Sequence, residues 1–186
     1  PTTRASVMRE QISVTVREHL ERSLRIHRVQ SSEQRMKVLS LFFIDRVAHY
    51  AEEDGCIRRW FEEIYDELAA DPCYGCLELP GVHEAHAGYF ASRRGLSVDT
   101  SGRSREDGEA YELIMRDKER LLSRDEPVQF LFSHSALREG WDNPNVFQIC
   151  TLHPTRSELR KRQEIGRGLR LPLMVNGHRC TDPDLV

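Results

Sequence analysis

Residues 128–151 read Val-Gln-Phe-Leu-Phe-Ser-His-Ser-Ala-Leu-Arg-Glu-Gly-Trp-Asp-Asn-Pro-Asn-Val-Phe-Gln-Ile-Cys-Thr, and this stretch decides the fold class. Residues 128–132 form a short apolar run rich in aromatic side chains, the composition of a strand buried on both faces. The run ends in Ser133, His134 and Ser135, polar groups placed where a strand stops. Gly140, Asp142, Asn143 and Pro144 then make a dense turn cluster. Residues 146–152 are a second apolar run, and 158–169 behind it read as a helix. Strand, polar loop, strand and helix is the layout of a doubly wound α/β domain, in which ligands bind at the carboxyl ends of the strands.

That last helix ends in Gln163-Glu-Ile-Gly-Arg-Gly-Leu-Arg170. Arg167 and Arg170, three apart, can present two guanidinium groups on one side of a short helix. Guanidinium is planar, stays charged and grips phosphate oxygens with paired hydrogen bonds. Gly166 lets a backbone or a nucleotide come close. Composition alone favours a solvated basic face, since Arg160, Lys161 and Arg162 lie just upstream. The preceding loop tips the reading towards phosphate.

Residues 132–152 together with 162–172 (Arg-Gln-Glu-Ile-Gly-Arg-Gly-Leu-Arg-Leu-Pro) resemble motifs V and VI of the restriction (Res) subunit of type III restriction-modification enzymes, which are superfamily-two helicases and translocases. Residues 37–45 (Lys-Val-Leu-Ser-Leu-Phe-Phe-Ile-Asp) resemble motif IV of the same subunit, and residues 111–122 are also similar. The likeness runs from about residue 10 to the end. A lone Gln-x-x-Gly-Arg-x-x-Arg is weak; with the Glu-Gly-Trp-Asp block at matching separation it is strong.

The resemblance implies a RecA-like helicase C-terminal lobe, a three-layer sandwich with a mostly parallel sheet. It implies that Arg167 and Arg170 face the γ-phosphate of ATP held by another lobe, with Arg170 preferred as the arginine finger. Gln163 and Gly166 would couple the nucleotide to the lobe interface, and Gly140 and Asp142 would sit at the nucleotide edge of the cleft. Ser133, His134 and Ser135 would lie towards the DNA backbone, where hydroxyls and backbone N–H groups position a strand without reading its sequence. The implied cofactors are ATP and Mg2+, bound mainly by the first RecA-like lobe. The implied partners are that lobe, double-stranded DNA and the methyltransferase (Mod) subunit. The intact subunit would be an ATP-dependent endonuclease, while the isolated lobe would be inactive.

Outward from these motifs, Ile12, Val16, Leu20 and Leu24 recur at spacing four and favour a helix, although Ile-Ser-Val-Thr-Val also alternates like a strand. Residues 38–44 are a nearly unbroken apolar run, a buried parallel strand with only Asp45 and Arg46 free for function. Ile57, Trp60, Phe61, Ile64, Tyr65 and Leu68 mark an amphipathic helix whose aromatic stripe reads as core. Residues 82–90 read as a short strand, 91–108 as an exposed polar insertion, and 111–122 as another helix. The expected divisions are a helical lead-in over 1–35, the lobe over 36–172 and the start of a following segment over 173–186.

The 186 residues carry a net charge of −3, so no global basic signature advertises nucleic acid. Residues 154–170 differ, carrying six basic side chains against Glu158 and Glu164. Any polyanion contact should therefore be local. No apolar run approaches the ~20 residues of a membrane span. Five cysteines, an odd number, fit reduced thiols and a cytoplasmic setting. No phosphate-cradling Gly-x-x-x-x-Gly-Lys-Ser/Thr loop or magnesium-holding acidic box occurs in the chain. With an opening Pro1, this suggests a fragment.

Two rivals stand beside the motor reading. Cys73-x-x-Cys76 and His83-x-x-His86 supply four zinc-type ligands within 14 residues, which would make a zinc-stabilised binding module. The short gap between the pairs, and the strand expected over 82–90, count against it. The other rival is a regulatory lobe that keeps the fold without motor function.

Overall fold

The apolar run of motif IV forms β1 (Leu39–Phe43), and all five residues are buried. A computed structural model describes residues 3–32, 35–90, 92–93, 96–97, 118–134, 143–152, 172–174, 176–182 and 185. Ahead of β1 lies the long helix α1 (Arg4–Val29), capped by the Thr3 side chain. After it come the single turn α2 (Ala48–Ala51), the helix α3 (Cys56–Ala69), a 3-10 turn (Pro72–Tyr74) and a second single turn, α4 (Val82–Ala85). There follow β2 (His86–Tyr89), the small antiparallel pair β3 (Ser92–Arg93) and β4 (Leu96–Ser97), α5 (Lys118–Leu122), β5 (Phe130–Ser133) and β6 (Val146–Thr151).

The main sheet runs β2-β5-β1-β6, and every pairing in it is parallel. The fold is therefore α/β with a parallel sheet, as the motif V region implied. Alternation along β1 assigns its two faces. Phe42, with Phe130, Phe132 and Cys150, packs beneath Met8, Ile12, Val16, Leu20 and Leu24 of α1 and Ile57, Phe61, Ile64 and Tyr65 of α3. Leu39, Leu41 and Phe43 face the other way, with Tyr89, Leu131 and Val146, against Leu121 of α5. Both faces are covered, which is why these strands lack the alternation of a half-exposed sheet.

One sequence expectation changes here. Residues 82–90 divide into one helical turn and then a strand. α1 forms one wall of the main core, and its spacing-four residues all point inward. Cys180 and Leu185 bury against Ile26, Met36 and Val38, while Leu173 bridges Arg179. The helix expected over 158–169, most of the 91–108 insertion and most of 111–122 lie outside the described residues.

A buried polar node ties α1 to the sheet. His19, fully buried, bonds through Nδ1 to Ser40 Oγ (2.9 Å) and through Nε2 to the Gln129 side chain (3.1 Å). The Ser40 hydroxyl donates onward to Gln148 Oε1 at 2.9 Å. Burial lowers the His19 pKa to about 4, against the opposing effect of the hydrogen bond to Gln129 Oε1. The unfolded chain therefore takes up a proton at His19 that the folded chain refuses. This contribution to stability is present above pH ~6.5 and is lost as pH falls towards 4. Between pH 7 and pH 5 it should cost about 2 kcal/mol. Urea unfolding at the two pH values should show this drop for the native chain and a smaller one for His19→Gln, which keeps polar partners without a titrating ring. Equal drops would remove His19 as the cause.

Candidate functional site

Because the strands are parallel, their carboxyl ends share one edge of the sheet. There β1 continues into Ile44 and Asp45, β5 into His134, and β6 into Leu152. Backbone bonds carry the pairing one step past the strands: the Ile44 N–H donates to the Ser133 carbonyl (2.9 Å) and the Leu152 N–H to the Phe43 carbonyl (2.8 Å). The Ser133 hydroxyl donates to the Tyr89 carbonyl at 3.3 Å, so this fully buried side chain braces the edge. His134, half-buried, has an enclosed Nδ1 with no hydrogen-bond partner among the described residues.

Asp45 supplies negative charge at this edge. Its carboxylate accepts from Arg4 at 2.6 Å and bonds His49 Nδ1 at 2.9 Å. Partial burial pushes the Asp45 pKa up, but the hydrogen bond and charge of His49, together with Arg4, outweigh it and hold the carboxyl below its ordinary range. Asp45 stays ionised and anchors the start of α1 to the end of β1.

Asn143 and Asn145, just ahead of β6, are held by hydrogen bonds. Asn143 is buried, and its side-chain oxygen accepts from the Asn145 N–H at 3.0 Å, an Asx turn. The Asn145 carbonyl accepts from the Leu39 N–H at 2.8 Å and so sets the start of the β1–β6 pairing. The Asn145 side chain bonds both backbone groups of Leu173, at 3.0 and 2.8 Å, and holds the returning C-terminal segment. At the same amino-terminal end of the sheet, buried Lys37 donates to the carbonyls of Ser123 (3.0 Å) and Glu126 (2.5 Å) and fixes the turn before β5.

The cysteine-histidine zinc module does not form. Cys73 and Cys76 are exposed and free. The metal-capable grouping among the described residues is Glu62, His83 and His86. Cys73 sits in the 3-10 turn with its N–H donating to Asp71 Oδ1 at 2.9 Å, which fixes the Cys-x-x-Cys segment as a capped turn rather than a ligand knuckle.

No family model matches the chain. Individual proteins do. The Res subunit of the type III restriction-modification enzyme EcoP15I from Escherichia coli is 41% identical over 184 residues, a match that takes in 91% of this chain and 18% of that protein. The StyLTI Res subunit of Salmonella typhimurium is 38% identical over 182 residues, covering 84% of the chain and 18% of its own length. The EcoPI Res subunit of Escherichia phage P1 is 42% identical over 163 residues, covering 81% and 16%. The chain is a relative of the type III Res subunits. It spans less than one fifth of the length of the relatives it matches.

Of the positions that the Res resemblance picks out, Ser133 and His134 are described, at the carboxyl end of β5. Ser135, Gly140, Asp142, Gln163, Gly166, Arg167 and Arg170 lie outside the described residues. In the chain, the motif V loop follows β5 and precedes β6, and the motif VI segment comes after β6. In the sheet, β1 lies between β5 and β6, and the carboxyl ends of all three strands share one edge. Reading by spacing missed Glu62, because a carboxylate on α3 carries no signal that links it to histidines more than twenty residues on.

Proposed function

We propose that the chain is the second RecA-like lobe of a longer type III restriction subunit, an ATP-driven DNA translocase and endonuclease acting in the cytoplasm with a methyltransferase (Mod) partner on double-stranded DNA. The observation that carries this reading is the coincidence of motif and topology. Motifs V and VI follow the carboxyl ends of two parallel strands that flank motif IV, the edge where open α/β sheets take ligands.

In this reading Arg170 is the arginine finger and Arg167 its neighbour on the same phosphate. Gln163, Gly166, Gly140 and Asp142 line the nucleotide side, with ATP and Mg2+ held mainly by the first lobe. Ser133, His134 and Ser135 belong to the DNA side. Ser133 is committed to the Tyr89 carbonyl, which leaves His134 and Ser135 as the groups that reach a phosphate. The isolated lobe has no turnover of its own.

The test is to purify the full subunit that carries this chain together with its methyltransferase and to assay cleavage of double-stranded DNA. Cleavage that requires ATP, Mg2+ and the partner is expected. Cleavage independent of ATP, or DNA-stimulated ATP hydrolysis absent from the assembled complex, would overturn the reading.

A further inference from the structure

Where α3 meets the amino-terminal end of β2, three side chains converge. Glu62 Oε1 lies 3.4 Å from His83 Nδ1 and 3.4 Å from His86 Nε2, and all three ligand atoms fall within 4.8 Å of one another. Neither 3.4 Å contact is a good hydrogen bond, for which donor and acceptor sit at about 2.7–3.2 Å. The His86 side chain is only 7% exposed, and its Nε2 is enclosed with no hydrogen-bond partner among the described residues. A buried imidazole nitrogen that meets a carboxylate only at ion-pair distance calls for an explanation.

Tetrahedral zinc supplies one. With metal–ligand bonds of about 2.0–2.1 Å, neighbouring ligand atoms of a tetrahedron lie about 3.3–3.4 Å apart. Both edges that involve Glu62 have that length, and the third pair, His83 and His86, lies within 4.8 Å, with the His83 ring 81% exposed. We infer that Glu62, His83 and His86 form a divalent-metal site, suited to zinc, with its fourth position left to water. It joins α3, the turn α4 and the edge strand β2.

The surroundings fit the donor set. His86 Nδ1 shares a 2.6 Å hydrogen bond with the Tyr50 hydroxyl. Metal-binding histidines are oriented by such a bond from the second ring nitrogen, which directs the lone pair of Nε2 at the ion. The His86 ring is also wedged by aromatic contacts, with Phe61 at 4.9 Å and Tyr50 at 5.6 Å between centroids. The site lies at the amino-terminal end of β2, opposite the edge proposed for nucleotide and DNA, which makes it a structural clip. It stands whether or not the motor reading does.

The test uses the untagged chain, stripped with chelator and titrated with Zn2+ alone. One equivalent should bind, and it should raise the unfolding midpoint in proportion to saturation. His83→Ala, on an exposed ring, should leave the metal-free unfolding midpoint unchanged and weaken binding at least tenfold. Tyr50→Phe should weaken it about 10- to 100-fold through the second ring nitrogen. The double variant Cys73→Ser, Cys76→Ser should bind as the native chain does, and substituted Co2+ should show no thiolate charge-transfer band. No stoichiometric binding would overturn the site. So would binding that survives His83→Ala, or that disappears with the two cysteines.

Discussion

Arg170→Ala in the full restriction subunit should lower DNA-stimulated ATP hydrolysis by about 10³-fold or more while nucleotide binding stays measurable. The split between the two readouts follows from where the charges sit. As phosphoryl transfer proceeds, negative charge redistributes over the γ-phosphoryl and leaving oxygens, and a guanidinium from a second lobe meets it only when the lobes close. In the proposed arrangement ground-state ATP would be held by the phosphate loop and Mg2+ of the other lobe, so losing the finger should change kcat far more than binding. Arg170→Lys should not restore the rate, since an ammonium lacks the planar fork that spans two phosphate oxygens. Arg167→Ala provides the internal comparison. If it costs more than Arg170→Ala, the finger role moves to Arg167 and the lobe assignment survives. Native rates in both variants would remove motif VI from the ATP site. A fluorescent nucleotide titration beside the hydrolysis assay distinguishes these outcomes.

How much of this could be seen in the chain depended on the range of the interactions involved. The spacing-four residues Ile12, Val16, Leu20 and Leu24, and the stripe from Ile57 to Leu68, are local periodicities, and both helices follow them. The aromatic run of β5 and the apolar run of β1 are equally local, and they fix a sheet buried on both faces. The misreading of residues 82–90 has a local origin. Val82-His-Glu-Ala is too short for its period to show, so a single helical turn was taken for the start of a strand. That error kept His83 and His86 on opposite faces, whereas the turn swings both towards Glu62. The His19 node was invisible for another reason: its partners Ser40 and Gln129 lie 21 and 110 positions away, and only the parallel crossovers bring them together. For the motif V and VI side chains, local pattern alone gives a polar turn and a basic helix, and the roles proposed for them rest on the resemblance.

The interior itself should show its largest single effect at Phe42. This ring is fully buried in an interior strand, stacked on Phe132 with centroids 4.6 Å apart and planes 7° from parallel. It meets the edge of Phe61 at 6.2 Å and packs near Phe130 at 6.4 Å, so it links β1, β5 and α3 in one aromatic layer. Phe42→Ala removes buried apolar area and leaves a cavity that rings held by two separate elements, β5 and α3, cannot collapse to fill. The expected loss is about 3–5 kcal/mol. Natural domains are stable by only about 5–15 kcal/mol, so the variant should sit close to its unfolding threshold, with a midpoint lowered by roughly 10 °C. Val14→Ala, on the 50% exposed side of α1, should stay within about 0.5 kcal/mol of the native chain. Denaturant unfolding of the pair is the measurement. A Phe42→Ala loss no larger than that of Val14→Ala would mean that the aromatic layer does not hold the sheet to α3. The carboxyl-end geometry of β1, β5 and β6 would then need another support, because the same strand that buries Phe42 carries Asp45 to the motif edge two residues beyond its end.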